Sequence, residues 1–600
     1  MHLHPLHFFI PLIGCGFLGG IVAPNVSVGQ LLTEATVFES GTEGYHTFRI
    51  PAILRAADGA LLAFAEGRKH NASDTGDIDI VLRRSTDQGL SWGPTLLVAD
   101  VGPHTIGNPS PILDRATGRI VLLANQNHGE DDQREIQSNT GHGPRTAWVC
   151  TSDDHGLTWT LPTEITAQVK HPEWRWFAFG PAHGIQLFRG AYAGRLLVGA
   201  AQNGPNSNGA IGVFSDDGGA TWNRGVGIEA AASVRPSESV VVELVDGRVY
   251  MNCRNRGGHE RPRAMATSED GGETFSHAGL ANQLIDPTVQ GSLLRLRAVD
   301  EGDDRNQILF SNPAHPNARR RLTVRSSFDE TETWTPGKLI HRGPSAYSDL
   351  VELDDSAAGV LYEHGHDRRY ERIRFASWPA GWLQDTVHAQ FVFSEQPADG
   401  PLRSSRGHPL AAQVEGSPTL VSWNTAGDMR QAWHFDAPGE CLRILDDKYQ
   451  LFDFENDNSF TLEAVFRTTA HSGEKAGAII SKDKGPNTPS YWLRVEEGAV
   501  RFFVSDGETA VSVASGQGFS DGNWHHVFAA RDTDQWQLRL HVDGKLVDHS
   551  ADVTHKDLAN DSDLLIGAFN NSSHRQFYGD LSLVRIHGAA ANPTDLARQE

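Results

Sequence analysis

Cysteine is scarce in this chain: four residues in 600, at Cys15, Cys150, Cys253 and Cys441. The last three are scattered without a pair, so neither a disulfide framework nor a cysteine zinc site is implied, and they read as small buried hydrophobes. Basic charge is also short. Lysine and arginine number 52 against 75 aspartates and glutamates, a formal net charge of −23, which argues against nucleic acid or an anionic membrane surface as a partner. Any bound anion must be held by a local cluster of cations. His-Glu-x-x-His and a glycine-rich phosphate loop are absent as well, so no metal and no nucleotide cofactor are expected.

Long hydrophobic runs are limited to residues 8–22, an apolar stretch too short for a spanning helix and suited to the core of a signal peptide. Residues 1–29 are therefore expected to be a leader, although its basic region carries His2, His4 and His7 and no lysine or arginine. Leu12-Ile13-Gly14-Cys15 also resembles a bacterial lipobox, which would lipidate Cys15. The expected location is secreted, periplasmic or outer-surface, with a lipid anchor through Cys15 as the alternative.

What the chain has in abundance is one short turn. Ser85-Thr86-Asp87-Gln88-Gly89-Leu90-Ser91-Trp92 recurs at 152–159, 215–222, 268–275 and, with Thr331 in place of the glycine, at 327–334. A Ser-x-Asp-x-Gly-x-Thr-Trp phrase repeated every 53 to 67 residues means one supersecondary unit used many times, the signature of a propeller. The aspartate can accept N–H bonds inside its own turn, the glycine supplies a positive φ, and the aromatic packs under the hairpin. Alternating strands precede the turns, as in residues 78–85 and 145–152. The span from the mature start to residue 385, at about 40 to 60 residues per blade, predicts six blades, one more than the visible turns. The fold class predicted is all-β, with the propeller over 30–387.

Six hundred residues exceed one core, so a second domain is expected over 388–600. Phe460-Thr461-Leu462-Glu463-Ala464-Val465, Tyr491-Trp492-Leu493-Arg494-Val495 and the phrases Trp524-His525-His526-Val527 and Val542-Asp543-Gly544-Lys545 form a strand ladder. It resembles the laminin-G or concanavalin A-like jelly-roll sandwich. That resemblance leaves two roles open, packing against the propeller and binding glycans.

The chemistry rests on arginine, whose planar fork gives a carboxylate two parallel charged hydrogen bonds, so three arginines from three blades could trap one carboxylate. Phe48-Arg49-Ile50-Pro51, Met251-Asn252-Cys253-Arg254-Asn255 and the segment 310–319 ending in Arg319 offer them, with Arg320 and Arg321 as rivals in register. These phrases, together with residues 62–68, 107–111, 180–187 and 345–350, resemble the secreted bacterial exo-α-sialidases over residues 34–385. The resemblance implies a retaining hydrolase that removes terminal sialic acid, with Arg49, Arg254 and Arg319 on the substrate carboxylate. It implies Tyr347 as nucleophile, since a neutral phenol is not repelled by that carboxylate, and Glu238 as the base that takes its proton. Ser239 stands where proline commonly follows this glutamate.

Asp74 is the acid/base the resemblance implies, with Asp77 its rival in the loop. Glu66 is expected behind Arg49 or Arg254, orienting a guanidinium, and Arg68 is expected near the ring hydroxyls. The segment 125–145 reads either as a wall of the site or as a surface loop. Trp174 and Trp176 offer an apolar floor, and His183 reads as turn-stabilising. Sialylated glycans are the expected partner. Alternatives are a trans-sialidase, a hydrolase of a related keto-acid sugar (Kdn or Kdo), and a non-catalytic lectin, which would need the arginines without Asp74, Glu238 and Tyr347 together.

Overall fold

A computed structural model describes residues 31–593 apart from 205–207, 230–233, 258–261, 395–399, 426–427, 446–449, 470–476 and 570–575. The expected leader and Cys15 lie outside the described residues. Strands dominate, and the first half closes into six blades. Blade one is built on Thr47–Arg55, Leu61–Arg68 and Ile78–Ser85, and blade two on Thr105–Leu113, Ile120–Asn127 and Thr146–Ser152. Blade three uses Trp176–Phe179, Leu196–Asn203 and Asn208–Ser215, and blade four Pro236–Glu243, Val249–Asn255 and Pro262–Ser268. Blade five contains Ser292–Arg297, Gln307–Pro313 and Arg320–Ser327. The long strand Lys338–Glu352 ends blade five and begins blade six, which continues through Ala358–His364 and Arg372–Trp378. The outermost strand of blade six is Thr33–Glu39 from the start of the domain, paired antiparallel with Arg372–Trp378. This pairing closes the ring.

Strands buried on both faces need an apolar partner on each side, and the ring supplies one at every junction. Phe64 and Leu82 of blade one meet Leu122 and Cys150 of blade two in one cluster, and Leu361 and Phe375 of blade six meet Ile53 and Val81 of blade one in another. Four similar layers fill the remaining junctions.

The repeated turn forms the bonds expected of it. In the first copy Ser91 N–H donates to Asp87 Oδ1 at 2.9 Å and Gly89 N–H donates to Ser85 Oγ at 2.8 Å, with φ +88° at Gly89. Its aromatic, however, does more than pack under its own hairpin. Trp92 lies edge-on to Phe375 of blade six, and Trp159 of the second copy edge-on to Phe64 of blade one. The glycine seats there too: a Cβ on Gly89 would lie 2.1 Å from Phe375, and one on Gly272 would lie 2.6 Å from Leu197 of blade three. The turn therefore fastens the blade that carries it to the one before it. At Thr331 a β-branched residue takes φ +75° in the glycine's place, a conformation such side chains resist.

After Trp378 the chain enters a two-sheet sandwich. Val387–Val392 pairs with Gly579–His587, which in turn pairs with Phe460–Arg467, and the facing sheet is built around Gly477–Lys482, Pro489–Glu496 and Ala499–Asp506. One apolar core, including Trp433, Phe460 and Tyr491, lies between the sheets. The sandwich grips the propeller by ion pairs: Arg320 and Arg321 both reach Glu455 of the sandwich, the latter at 2.9 Å, and Arg342 Nη1 donates to Asn458 Oδ1 at 3.1 Å. Cys150, Cys253 and Cys441 are buried and unpaired.

Candidate active site

The inner ends of the blades converge on a cavity of about 750 Å³. Arg49, Arg254, Arg319, Glu238, Tyr347, Asp74, Arg68 and Glu66 all border it. They come from strands and loops of blades one, four, five and six, so the ring closure itself brings them together.

At the centre Tyr347 O–H donates to Glu238 Oε1 at 2.5 Å. Arg254 Nη1 donates to Glu238 Oε2 at 2.9 Å and to the Tyr347 oxygen at 3.2 Å. Burial alone would raise the Glu238 carboxyl, but Arg254 first, then Arg256 and the Tyr347 hydroxyl, hold it below the usual carboxylate range. Burial and the Glu238 charge push the Tyr347 phenol up, against the opposing pull of Arg254, Arg319 and Arg49. The pair thus rests as carboxylate and phenol, the state from which a proton can pass from oxygen to oxygen as the phenol attacks an electrophile.

Arg49 is placed by a residue the sequence reading missed. Glu363, fully buried, accepts Arg49 Nε at 3.0 Å and Nη2 at 3.4 Å. It also accepts the N–H groups of Ile50 and Tyr347, each at 3.0 Å. One carboxylate therefore sets the first arginine and the phenol in fixed relation. It also holds Ile50 at φ +56°, a strained value for a β-branched residue. Glu66, expected behind Arg49 or Arg254, is not there. Its Oε2 accepts both Nε and Nη2 of Arg68, at 3.1 and 2.6 Å, and its Oε1 accepts Asn108 N–H at 2.9 Å. Residues two apart on a strand share a face, so Arg68 is the nearer cation.

Arg319 donates to Tyr370 Oη at 3.1 Å and to the Thr288 carbonyl at 3.3 Å. Tyr370, a second residue missed from sequence, also stacks under Arg49 with the guanidinium 4.0 Å from the ring centre. Of the three consecutive arginines, Arg319 alone borders the cavity, while Arg320 and Arg321 turn to the sandwich. Asp74 is exposed at the mouth and pairs with Arg68 at 2.8 Å and Arg49 at 3.0 Å. Loss of hydration opposes its ionisation, yet Arg68 and then Arg49 lower its carboxyl below the ordinary aspartate value. Asp77 instead meets Lys69 at 2.8 Å and does not border the cavity.

On the far wall Arg145 stacks 4.5 Å over Trp176 and donates to Asn127 Oδ1 at 3.1 Å. His183 is structural: its Nδ1 lies 2.7 Å from buried Asp349, which also accepts Ile53 N–H from blade one and Ser292 O–H from blade five. Asn127, Asp131, Gln133 and Gln137 line the cavity, so the segment 125–145 is a wall of the site.

Residues 59–361 match the model of the BNR repeat-like domain, and residues 446–597 that of the concanavalin A-like lectin/glucanases superfamily. The chain belongs to the sialidase family. It is 36% identical over 366 residues to a sialidase of Micromonospora viridifaciens, covering 59% of this chain and 54% of that protein. To an exo-alpha-sialidase of Arthroderma benhamiae it is 31% identical over 373 residues, 57% of this chain and 85% of the relative. The solved structure of Hadza microbial sialidase Hz136 is similar at a TM-score of 0.51 and 27% identity, covering 58% of this chain and 69% of that one. The residues matched by the BNR repeat-like model lie in the propeller, which also holds the cavity.

Proposed function

We propose that the protein is an exo-α-sialidase, a retaining glycoside hydrolase that removes terminal sialic acid from sialylated glycans. The observation that carries this reading is the 2.5 Å Tyr347–Glu238 bond beside Arg254, with Arg49 and Arg319 on the same cavity. Three guanidinium groups receive the sugar carboxylate. A carboxylate nucleophile would be repelled by that group, whereas the phenol of Tyr347 attacks the anomeric carbon as Glu238 takes its proton. The oxygen–carbon bond to Tyr347 forms as the bond to the aglycone breaks, and Asp74 donates its proton to the departing oxygen. Asp74 then takes a proton from water, which attacks the tyrosyl-linked sugar, while Glu238 gives back the proton it took and so returns Tyr347 to the phenol. The substrate carboxylate also supports this cycle, because the negative charge it brings to Arg49 weakens the hold of that arginine on Asp74.

The leader residues support export to the periplasm, the cell surface or the medium. For the sandwich, the ion pairs of Glu455 with Arg320 and Arg321 favour packing against the propeller over glycan binding as its primary role. The test of the function is incubation of the purified protein with a fluorogenic α-sialoside and with sialyllactose, following the first-released anomer by NMR. Release of free α-sialic acid supports the reading. No release, release of the β-anomer first, or transfer to added lactose in preference to water would overturn it.

A further inference from the structure

We propose that the protein binds one zinc ion through His128, Glu130 and His142, and that the ion staples the neck of the loop walling the site. His128 directly follows the strand Ile120–Asn127, and His142 lies just before the strand Thr146–Ser152. Between them the chain leaves the blade, forms the short helix Gln133–Ser138 against the cavity and returns. The donor atoms of His128, Glu130 and His142 lie within 4.8 Å of one another, with His142 Nε2 3.7 Å from Glu130 Oε2. A tetrahedral ion with bonds of about 2 Å holds its donors about 3.3 Å apart, a closure that half-buried and exposed side chains reach by rotamer adjustment. Two imidazoles and one carboxylate suit zinc and leave a fourth position for water. Calcium, which takes oxygen donors only, does not fit.

The supporting shell is already built. Asp131, buried, accepts His142 Nδ1 at 2.7 Å and His142 N–H at 2.7 Å. Nδ1 bound to a carboxylate fixes the ring and presents Nε2, the arrangement found behind metal-ligating histidines. His128 lies between two rings, stacked on His142 at 3.9 Å and tilted against His104 at 4.4 Å. Its Nδ1 accepts Glu130 N–H at 3.4 Å, a marginal bond that does not commit the ring to one nitrogen. Two glycines permit the assembly. A Cβ on Gly141 would lie 2.7 Å from Asp131, and one on Gly129 would lie 2.1 Å from the Pro103 carbonyl. A second acidic group, Asp77, Asp79 and Asp100, carries no such inference, because the Lys69 ammonium sits 2.8, 3.1 and 3.8 Å from its three carboxylates.

The test uses the full chain, stripped with a chelator and titrated with zinc chloride by calorimetry, alongside His128→Ala, His142→Ala, Asp131→Asn and, as control, Asp100→Asn. One equivalent should bind the parent and the control, and neither histidine variant should show that binding. Asp131→Asn should weaken it about 10- to 100-fold. Circular dichroism and the melting temperature of the zinc-free variants check that they remain folded. Trypsin reads the staple directly at Arg134, exposed on the helix: zinc should slow cleavage there in the parent and leave His142→Ala unaffected. Absence of stoichiometric binding, binding that survives in both histidine variants, or zinc that leaves the Arg134 cleavage rate of the parent unchanged would each overturn the proposal.

Discussion

The Tyr347 hydroxyl donates to Glu238 Oε1 at 2.5 Å while Arg254 donates to both residues. Glu238 is thereby kept ionised beside the phenol oxygen that must lose its proton. Glu238→Gln keeps the shape and removes the base, so kcat is expected to fall by about 10²- to 10⁴-fold with little change in the binding of a sialic acid glycal. Steady-state kinetics on a fluorogenic sialoside check this. A kcat within a few-fold of the parent would remove Glu238 from the proton path.

Asp74 stands on Arg68 and Arg49 at the mouth of the cavity. As an acid it should matter most for a poor leaving group. Asp74→Asn is expected to retain much of its activity on a nitrophenyl sialoside and to lose far more on sialyllactose, while Asp77→Asn, whose carboxylate meets Lys69, should behave as the parent on both. Equal losses on the two substrates would contradict the assignment.

The same ion pairs set a pH dependence. Arg68 and Arg49 lower the Asp74 carboxyl in the free protein, so the protonated acid is lost early as pH rises and the alkaline limb of kcat/KM is displaced to low pH. A substrate carboxylate on Arg49 adds negative charge and moves the Asp74 carboxyl upward. The alkaline limb of kcat should therefore lie at higher pH than that of kcat/KM. Coincident limbs, or the reverse order, would show that substrate does not relieve the Asp74–Arg49 pair.

Arg319 and Arg320 are neighbours in sequence with separate duties. Arg319→Ala removes a charged hydrogen-bond donor from the cavity and should weaken binding of a sialic acid glycal by about 1.5–3 kcal/mol. Arg320→Ala should leave that affinity unchanged and lower the melting temperature through the lost Glu455 contact. The opposite assignment of effects in a titration and a melting curve would place the clamp on the wrong arginine.

Thr331 occupies at φ +75° the position that glycine holds in the other four turns. Thr331→Gly is expected to stabilise the propeller by about 1 kcal/mol, read as a higher denaturant midpoint at unchanged slope. A lower midpoint would mean that the threonine side chain earns its place through contacts that outweigh the strain.

Much of this architecture is legible in the chain because a propeller repeats. Five copies of one turn announce the blades, and Arg49, Glu238, Arg254 and Tyr347 stand in phrases long enough to be read individually. What stayed hidden depends on closing the ring. Glu363 lies in the apolar strand Ala358–His364, where a lone buried glutamate is a signal for a paired cation, but nothing local says that the cation is Arg49, at the other end of the domain. The contact of Trp92 with Phe375 is invisible for the same reason. Glu66, expected behind Arg49 or Arg254, takes Arg68 instead, the cation two residues along its own strand face.

In this mechanism the Tyr347 oxygen becomes covalently bonded to the sugar. The direct measurement is incubation with 2,3-difluorosialic acid, whose fluorines slow formation and breakdown of an oxocarbenium-like transition state, followed by proteolysis and mass spectrometry. A single adduct is predicted on the peptide containing Tyr347, absent in Tyr347→Phe. An adduct on Glu238 or Asp74, or wild-type turnover by Tyr347→Phe, would contradict the mechanism.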